Sequence, residues 1–221
     1  MNEIRKQLAE KTRYTMEDLL AIMQTLRAPD GCPWDGEQDH RTIRKNLIEE
    51  TYEVVEAIDT ADNALLREEL GDVLLQVVFH ARIAEEEGAF SFADVVNDIC
   101  AKLVHRHPHV FGTVTADTSE QVLKNWDAIK QQEKKRKSLT EELSGISRAL
   151  PSLMRAGKIA HKRAKRGQVY DCPWDKVPAE AAKKQIGEAL FAICAAADKL
   201  DIDPEEALFR VCDAKCGEII E

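Results

Sequence analysis

Carboxylates in two short stretches of this sequence are spaced as metal ligands on helices. The first stretch reads Glu49-Glu50-x-x-Glu53, and the second reads Glu69-x-x-Asp72. Two acids three residues apart lie on the same face of a helix. Acids grouped in this way repel one another and are costly to bury unless protons or cations neutralise them. Because no histidine or cysteine belongs to the set, the chemistry favours a hard cation, Mg²⁺ first, with Mn²⁺ or Ca²⁺ as alternatives.

The hydrophobic pattern shows which elements carry these acids. Residues 42–60 have an apolar stripe at helical spacing, with Glu50 inside its edge and Glu53 just beside it. The next helix has a stripe whose middle holds three polar residues, Glu69, Asp72 and Gln76. The acids are therefore expected to face the same interior as the apolar side chains rather than water.

The numbering of the acids predicts how the two helices pair. If they form an antiparallel hairpin that turns at residues 60–63, Glu50 and Asp72 are equidistant from the midpoint Ala61, and so are Glu53 and Glu69. Four carboxylates would then meet in two levels. A single Glu-Glu-x-x-Glu motif is usually a solvated acidic face. Two motifs at matching levels favour the metal site.

The motifs and their order resemble the MazG proteins, a family of all-α nucleoside triphosphate pyrophosphohydrolases. Besides the two acidic motifs, the resemblance takes in three strings, Gly31-Cys-Pro-Trp-Asp35, Arg106-His-Pro-His-Val-Phe111 and Leu150-Pro-Ser-Leu-Met-Arg-Ala156. It runs from about Met16 to the C-terminus. The resemblance implies an all-α helical bundle.

The resemblance also implies an activity, the hydrolysis of a nucleoside triphosphate to the monophosphate and pyrophosphate. Mg²⁺ would be held by the four clustered acids, Glu50, Glu53, Glu69 and Asp72. Glu49, turned about 100° away on the helix, or one of the ligands, would accept the proton of the attacking water. A loose nucleobase preference is implied, with housecleaning of non-standard nucleotides or control of nucleotide pools as the cellular role. The alternative is a non-catalytic nucleotide-binding or scaffold protein.

Two pairs of residues are candidates for contact with the nucleotide. Lys102 and Arg106 lie one turn apart on a helix predicted from Ser91 to about residue 105, and they are suited to binding phosphates. The alternative is that they complement the dipole at the helix end. Trp126 and Lys130 share a face of a later helix, and in relatives a similar Trp and Lys approach the nucleotide.

The second half of the chain looks like a degenerate repeat of the first. Cys172-Pro-Trp-Asp175 repeats Cys32-Pro-Trp-Asp35, and Gln185-Ile-Gly-Glu188 repeats Glu69-Leu-Gly-Asp72. The whole Glu-Glu-x-x-Glu helix is absent between the copied motifs. We therefore expect a catalytic domain over residues 1–137 and a degenerate repeat over 138–221 without a complete metal site.

Composition restricts the partners and the compartment. The 221 residues include 31 Lys+Arg and 40 Asp+Glu, for a net charge of −9, which disfavours a nucleic-acid polymer as partner. The N-terminus lacks an apolar signal core, and no apolar run of about 18 residues is present to cross a membrane. A cytoplasmic protein is expected. The six cysteines form no C-x-x-C pair and are interpreted as reduced packing residues.

The acidic hairpin also predicts an assembly. Apolar residues occur on several of its faces, among them Leu74, Leu75, Val78 and Phe79. One short partner helix would not cover all of them. A homodimer is therefore expected, in agreement with the resemblance and with the frequency of two-fold pairing. The alternative is that the second repeat folds back over the first within one chain.

Overall fold

Helices joined by short connections make up the structure, a computed structural model that describes residues 3–134, 138–168 and 171–217. The side chains of residues 130–134, including that of the predicted nucleotide contact Lys130, lie outside the described part. No strand occurs within the described ranges, and this confirms the all-α expectation. None of the described helices is both long enough and apolar enough to cross a bilayer.

The chain folds as two compact units, Met1–Ala116 and Asp117–Glu221. The described helices of the first unit are α1 (Glu3–Glu10), α2 (Met16–Leu26), α3 (Pro33–Glu37), α4 (Arg44–Asp59), α5 (Asn63–Glu86), α6 (Phe92–Arg106) and α7 (Pro108–Phe111). Those of the second unit are α8 (Ser119–Lys134), α9 (Leu139–Ser144), α10 (Ser152–Ala164), α11 (Ala179–Lys199) and α12 (Pro204–Gly217). A compact unit and a sequence repeat need not coincide, so the boundary expected between residues 137 and 138 stays a prediction.

The turn between α4 and α5 is centred on Ala61, as the hairpin prediction required. Ala61 adopts a left-handed conformation, with φ of 54°. Its N–H donates to the Ile58 carbonyl at 3.1 Å, and the Asp62 N–H donates to the Ala57 carbonyl at 3.0 Å. This is the Schellman pattern, which satisfies carbonyls at the end of α4. The Asp62 carboxylate then accepts from the first N–H groups of α5, so one short segment closes α4 and begins α5.

The predicted start of α6 is also confirmed. The Ser91 hydroxyl accepts from the Asp94 N–H at 3.3 Å, and the Asp94 carboxylate accepts from the Ser91 N–H at 2.8 Å. The same reciprocal capping box opens α2 at Thr15 and Asp18. Each box satisfies two N–H groups that would otherwise lack partners at a helix start.

The segment around Cys32-Pro-Trp-Asp35 contains the short helix α3. Pro33 takes the first helical position, where its fixed φ and missing N–H cost nothing. Arg27 holds this segment, because its guanidinium donates to the carbonyls of Asp35 and Gln38 and pairs with Glu86 on α5 at 2.8 Å. The side chain of Trp34 is 58% exposed, so it does not fill the core.

The core of the first unit forms where α2 crosses α5. Its fully buried residues are Met23, Ile43, Val78, Phe79 and Ile83. Half-buried residues from α2, α5 and α6 pack around them, namely Met16, Leu19, Leu20, Leu75 and Phe92. The expectation that Val78 and Phe79 need another chain to cover them is therefore wrong, because α2 covers both.

The second unit has a core of its own, built from α9, α10 and α12. Its buried residues are Leu143, Ile146, Ile159 and Cys212. Asp203 caps the start of α12, since its carboxylate accepts from the N–H groups of Glu205 and Glu206 at 2.8 and 3.1 Å. Packing accounts for Cys212, but the packing interpretation is wrong for three exposed cysteines, Cys100, Cys172 and Cys194.

Candidate metal centre

The α4–α5 hairpin brings the predicted acids together. Glu50, Glu69 and Asp72 each offer a carboxylate oxygen, and these oxygens lie within 4.8 Å of one another. Glu53, one turn from Glu50 on α4, interacts with both Glu50 and Glu69. The turn at Ala61 fixes this register, because residues equidistant from it meet across the hairpin. The structure thus groups three of the four predicted acids, and the exposed Glu53 lies next to them outside this group.

Burial and like charge act together on two of these acids. Burial raises the pKa of Glu50, and the neighbouring carboxylates of Asp72, Glu53 and Glu69 raise it further. The pKa of Glu69 is raised by burial and then by the charges of Glu53 and Asp72. Glu69 is only 8% exposed, which is unusual for a glutamate. The cluster therefore costs free energy at neutral pH unless positive charge reaches it.

The donor set of this cluster fits a hard divalent cation. Oxygen atoms alone are offered, from side chains on two rigid helices, and Mg²⁺ and Mn²⁺ bind such oxygens. A divalent cation among the four carboxylates would also relieve the repulsion that raises the pKa values of Glu50 and Glu69. The residues present therefore fit the predicted metal.

Glu49, the predicted proton acceptor, precedes Glu50 on α4 and is turned about 100° away from it around the helix. Its carboxylate pairs with the Lys45 ammonium at 2.9 Å, one turn earlier on the same helix. The Glu49 side chain is half exposed, unlike that of Glu69. This ion pair occupies the Glu49 carboxylate, and Glu49 does not belong to the group formed by Glu50, Glu69 and Asp72.

The predicted phosphate-binding residues lie near the end of α6. Lys102 is exposed, and Arg106 is half-buried in the last helical turn. α6 packs against α5, the helix that supplies Glu69 and Asp72. The structure thus places both cations on a neighbouring helix, and their contact with phosphate stays a prediction.

The remaining predicted contacts belong to the second unit. Trp126 is half-buried on α8, and its role at the nucleotide stays a prediction, as does that of Lys130. The copied motif on α11 is exposed, and its Glu188 pairs with Lys184 of the same helix at 3.8 Å. No second group of three or more metal-binding side chains is found within the described residues.

Comparison with known proteins shows the family to which this chain belongs. Residues 38–111 match the MazG nucleotide pyrophosphohydrolase domain. Over 206 residues the chain is 40% identical to the nucleoside triphosphate pyrophosphohydrolase/pyrophosphatase MazG of Thermotoga maritima, with 87% of this chain and 79% of that protein covered. The chain belongs to the MazG family. It is also 42% identical over 214 residues to the nucleoside triphosphate pyrophosphohydrolase of Escherichia coli K12, with 87% of this chain and 81% of that protein covered.

A crystal structure of a MazG-related protein from Thermotoga maritima matches 52% of this chain and 98% of that chain, at 30% identity and a TM-score of 0.45. Membership of the MazG family confirms the resemblance seen in the motifs. It places the chain among the nucleotide pyrophosphohydrolases, which are hydrolases acting on acid anhydrides.

Two polar pairs in this MazG protein were not predicted as functional. Asn46 on α4 and Gln76 on α5 lie one turn from the acids, on the same faces as Glu50 and Asp72. Gln76 was visible in the sequence as a polar residue within an apolar stripe, and Asn46 is its equidistant partner. His40 and His80 stack with ring centroids 5.1 Å apart, a contact between a loop and α5 that spacing along the chain does not reveal.

Proposed function

We propose that this MazG protein hydrolyses nucleoside triphosphates between the α and β phosphorus atoms, with Mg²⁺ as cofactor. One water is consumed, and the products are the nucleoside monophosphate and pyrophosphate. The observation that supports this proposal is the meeting of Glu50, Glu69 and Asp72 across the α4–α5 hairpin, with Glu53 as a neighbour and raised pKa values at Glu50 and Glu69. Mn²⁺ is the alternative metal, because it binds the same oxygen donors.

The acids of the α4–α5 hairpin have separate roles in this proposal. Glu50, Glu53, Glu69 and Asp72 would hold the cation. When bound, it would orient the phosphates, neutralise their charge and lower the pKa of a water. Glu49, next to Glu50 in the sequence and paired with Lys45, would accept the proton of the attacking water.

Positive charge for the phosphates would come from α6. A triphosphate carries more negative charge than one divalent cation neutralises, so further cations are needed near the site. Arg106 and Asp72 are equidistant from Ala89 in the turn that joins α5 to α6, and α6 packs against α5. Arg106 and Lys102, one turn apart, are therefore the cations we assign to phosphate binding.

The release of pyrophosphate from a mixed set of nucleoside triphosphates tests the reaction. We expect equal amounts of monophosphate and pyrophosphate with Mg²⁺ present, and neither product after chelation. Release of inorganic phosphate instead would show cleavage at another bond. The alternative, a non-catalytic nucleotide-binding protein or scaffold, predicts nucleotide binding with no product under any metal condition.

A second copy of the chain is the proposed partner. The described helices α4, α5 and α6 each expose at least three apolar residues at helical spacing, among them Ile48, Tyr52 and Val55, then Leu70, Leu74 and Val77, then Val96, Ile99 and Leu103. Three such stripes in one unit exceed the scattered apolar residues of a typical monomer surface. They mark faces that a homodimer would bury, in addition to the core that α2 already covers.

The cellular role proposed is removal of non-standard nucleotides or control of nucleotide pools, in the cytoplasm. Comparison of kcat/KM for canonical and chemically altered nucleoside triphosphates distinguishes the two roles. A housecleaning enzyme is expected to favour the altered nucleotides, whereas control of pools requires turnover of the canonical ones.

A further inference from the structure

One level of the α4–α5 hairpin carries amides, next to the two levels that carry acids. Asn46 and Gln76 are equidistant from Ala61, just as Glu50 and Asp72 are, but they lie one helical turn further from it. Asn46 precedes Glu50 by four residues, and Gln76 follows Asp72 by four. Each amide therefore shares a helix face with the acids. The polar strip inside the hairpin has an uncharged extension on one side only.

Apolar side chains bound this strip at both ends. Beyond the amides lie Ile43 and Phe79, which are equidistant from the same turn and buried in one core cluster. On the turn side of the acids, Ala57 is buried opposite the half-buried Leu65. Among the described residues, Asn46 and Gln76 are thus the only pair of uncharged polar residues at equal distances from Ala61 between these apolar boundaries.

Gln76 is buried, and its side-chain oxygen has no hydrogen-bond partner among the described residues. Its side chain is 6% exposed, close to the 8% of Glu69. Its Oε1 is fully buried and accepts no hydrogen bond from any described residue. The amide group of Asn46 is likewise hydrogen-bonded to no described side chain. His80, one turn further along α5, differs in having a partner, since its Nδ1 lies 2.8 Å from the Nδ1 of His40. A buried polar atom without a partner destabilises the fold, and such atoms are rare unless a ligand or water satisfies them.

We infer that Gln76, assisted by Asn46, binds the uncharged nucleoside part of the triphosphate and determines which nucleosides are accepted. This inference rests on the proposed hydrolase activity. Phosphates require positive charge, and the pair of amides carries none. The hydroxyl, carbonyl and amino groups of a sugar or base match an amide, which both donates and accepts.

The spacing along α5 agrees with this assignment. Gln76 lies one turn, about 6 Å, from Asp72 along the helix axis. The α phosphate is the one bonded to the sugar, so the nucleoside is the neighbour of the phosphate that must reach the acids. A site with a buried amide rejects substrates that lack the matching group, because the amide then stays unpaired.

Substitution of Gln76 by leucine tests the inference. Gln76→Leu keeps a similar volume and removes the amide. We expect kcat/KM for the preferred nucleoside triphosphate to fall at least about tenfold, and the preference across bases and between ribose and deoxyribose to flatten. Cleavage of methyl triphosphate, which has the same phosphates and no nucleoside, is expected to fall by less than about twofold. Gln24→Leu, the same change at an exposed position of α2, is the matched control.

The same set of nucleoside triphosphates also shows whether Gln76 contacts the base or the sugar. Loss of preference among bases at constant sugar assigns Gln76 to the base, and loss of the ribose-to-deoxyribose ratio assigns it to the sugar. If the preference among bases and the preference between ribose and deoxyribose are both unchanged, the inference is overturned, because Gln76 is then only a buried polar residue of the fold. A raised Tm of Gln76→Leu would agree with that outcome.

A binding measurement separates this inference from the proposed activity. The side-chain NH₂ resonance of Gln76, assigned by its loss in Gln76→Leu, is followed in a ¹H–¹⁵N spectrum. We expect it to shift on addition of an α,β-methylene nucleoside triphosphate and not on addition of inorganic tripolyphosphate. If the wild type hydrolyses no triphosphate, the proposed function fails, whereas this spectrum still decides whether Gln76 contacts a nucleoside. No shift with any nucleoside analogue would overturn the inference.

Discussion

The carboxylates of Glu50 and Asp72 have oxygens within 4.8 Å of each other, although the two residues belong to different helices. This proximity follows from a single turn. Ala61 and Asp62 close α4 and begin α5, and the register they impose brings acids of equal distance from the turn face to face. The repulsion that results is the physical basis of the first two predictions.

Removal of one acid should abolish the proposed reaction and leave the fold intact. We expect Asp72→Asn and Glu53→Gln to lose Mg²⁺-dependent pyrophosphate release while circular dichroism stays helical. Neutral amides no longer repel their neighbours, so the metal-free variants should be at least as stable as the wild type. Turnover at the wild-type rate in either purified variant would contradict the assignment of these residues as ligands.

The raised pKa of Glu69 gives a pH dependence of stability with a defined sign. In metal-free protein, the unfolded chain loses this proton at a lower pH than the folded chain does. The acid therefore costs stability progressively as pH rises above its ordinary pKa, and the full cost is present above the raised pKa. We expect Glu69→Gln to raise Tm at pH 7.5 and to change it little at pH 4. Added Mg²⁺ should raise Tm of the wild type more than that of the variant.

Glu86 is the matched control with the opposite sign. Although burial raises the pKa of Glu86, hydrogen bonds from Arg27 and Arg82 hold it below its ordinary value. Its stabilising contribution is present above the ordinary pKa and is lost as pH falls through the lowered one. Glu86→Gln should therefore lower Tm at pH 7.5 and have a smaller effect in acid. Equal shifts of the same sign at both positions would show that charge in the cluster is not the cause.

The left-handed conformation of Ala61 predicts a stabilising substitution. The left-handed region costs a residue with a Cβ about 1–2 kcal/mol, whereas glycine has no such cost. We expect Ala61→Gly to raise the free energy of unfolding by about 1 kcal/mol, less the extra chain entropy of glycine, as measured by denaturant titration. Gly88 follows α5 with φ of 71°, and a Cβ there would meet no neighbour. Gly88→Ala should accordingly destabilise by a similar amount, and a neutral effect at both positions would contradict the argument.

The second repeat should contribute nothing to the chemistry. Gln185 and Glu188 are exposed on α11, and the helix that would supply opposing acids is absent from the sequence between the copied motifs. We expect Gln185→Ala and Glu188→Ala to retain turnover per folded molecule within about twofold of wild type. A loss of turnover as large as that of Asp72→Asn, in a folded protein, would show that the degenerate motif on α11 contributes to the reaction.

Assembly can be measured by light scattering. The exposed apolar stripes of α4, α5 and α6 predict a mass of twice the 24.9 kDa of one chain. Replacement of Tyr52 and Leu74 by lysine should shift the mass towards one chain, because charge would be buried at the interface. A monomeric mass in the wild type, with activity retained at nanomolar concentration, would rule out the homodimer. It would favour the alternative that the second repeat folds back over the first within one chain.

The sequence by itself determined the helical register and the place of the acids. Helical periodicity, the helix start at Ser91 and the equal distances from Ala61 are local properties, set by backbone geometry within a few residues. The family, and with it the enzyme class, was likewise readable from motifs in order. These features require no knowledge of which helix packs on which.

Only the tertiary structure decided which apolar side chains are covered and which polar ones are left without partners. Val78 and Phe79 are buried because α2 crosses α5, and Trp34 is exposed because Arg27 fixes α3 at the surface. The unpaired Oε1 of Gln76 is a property of its surroundings rather than of its position in a pattern. Burial and hydrogen bonding depend on contacts between residues distant in the chain, and spacing within one helix does not report them.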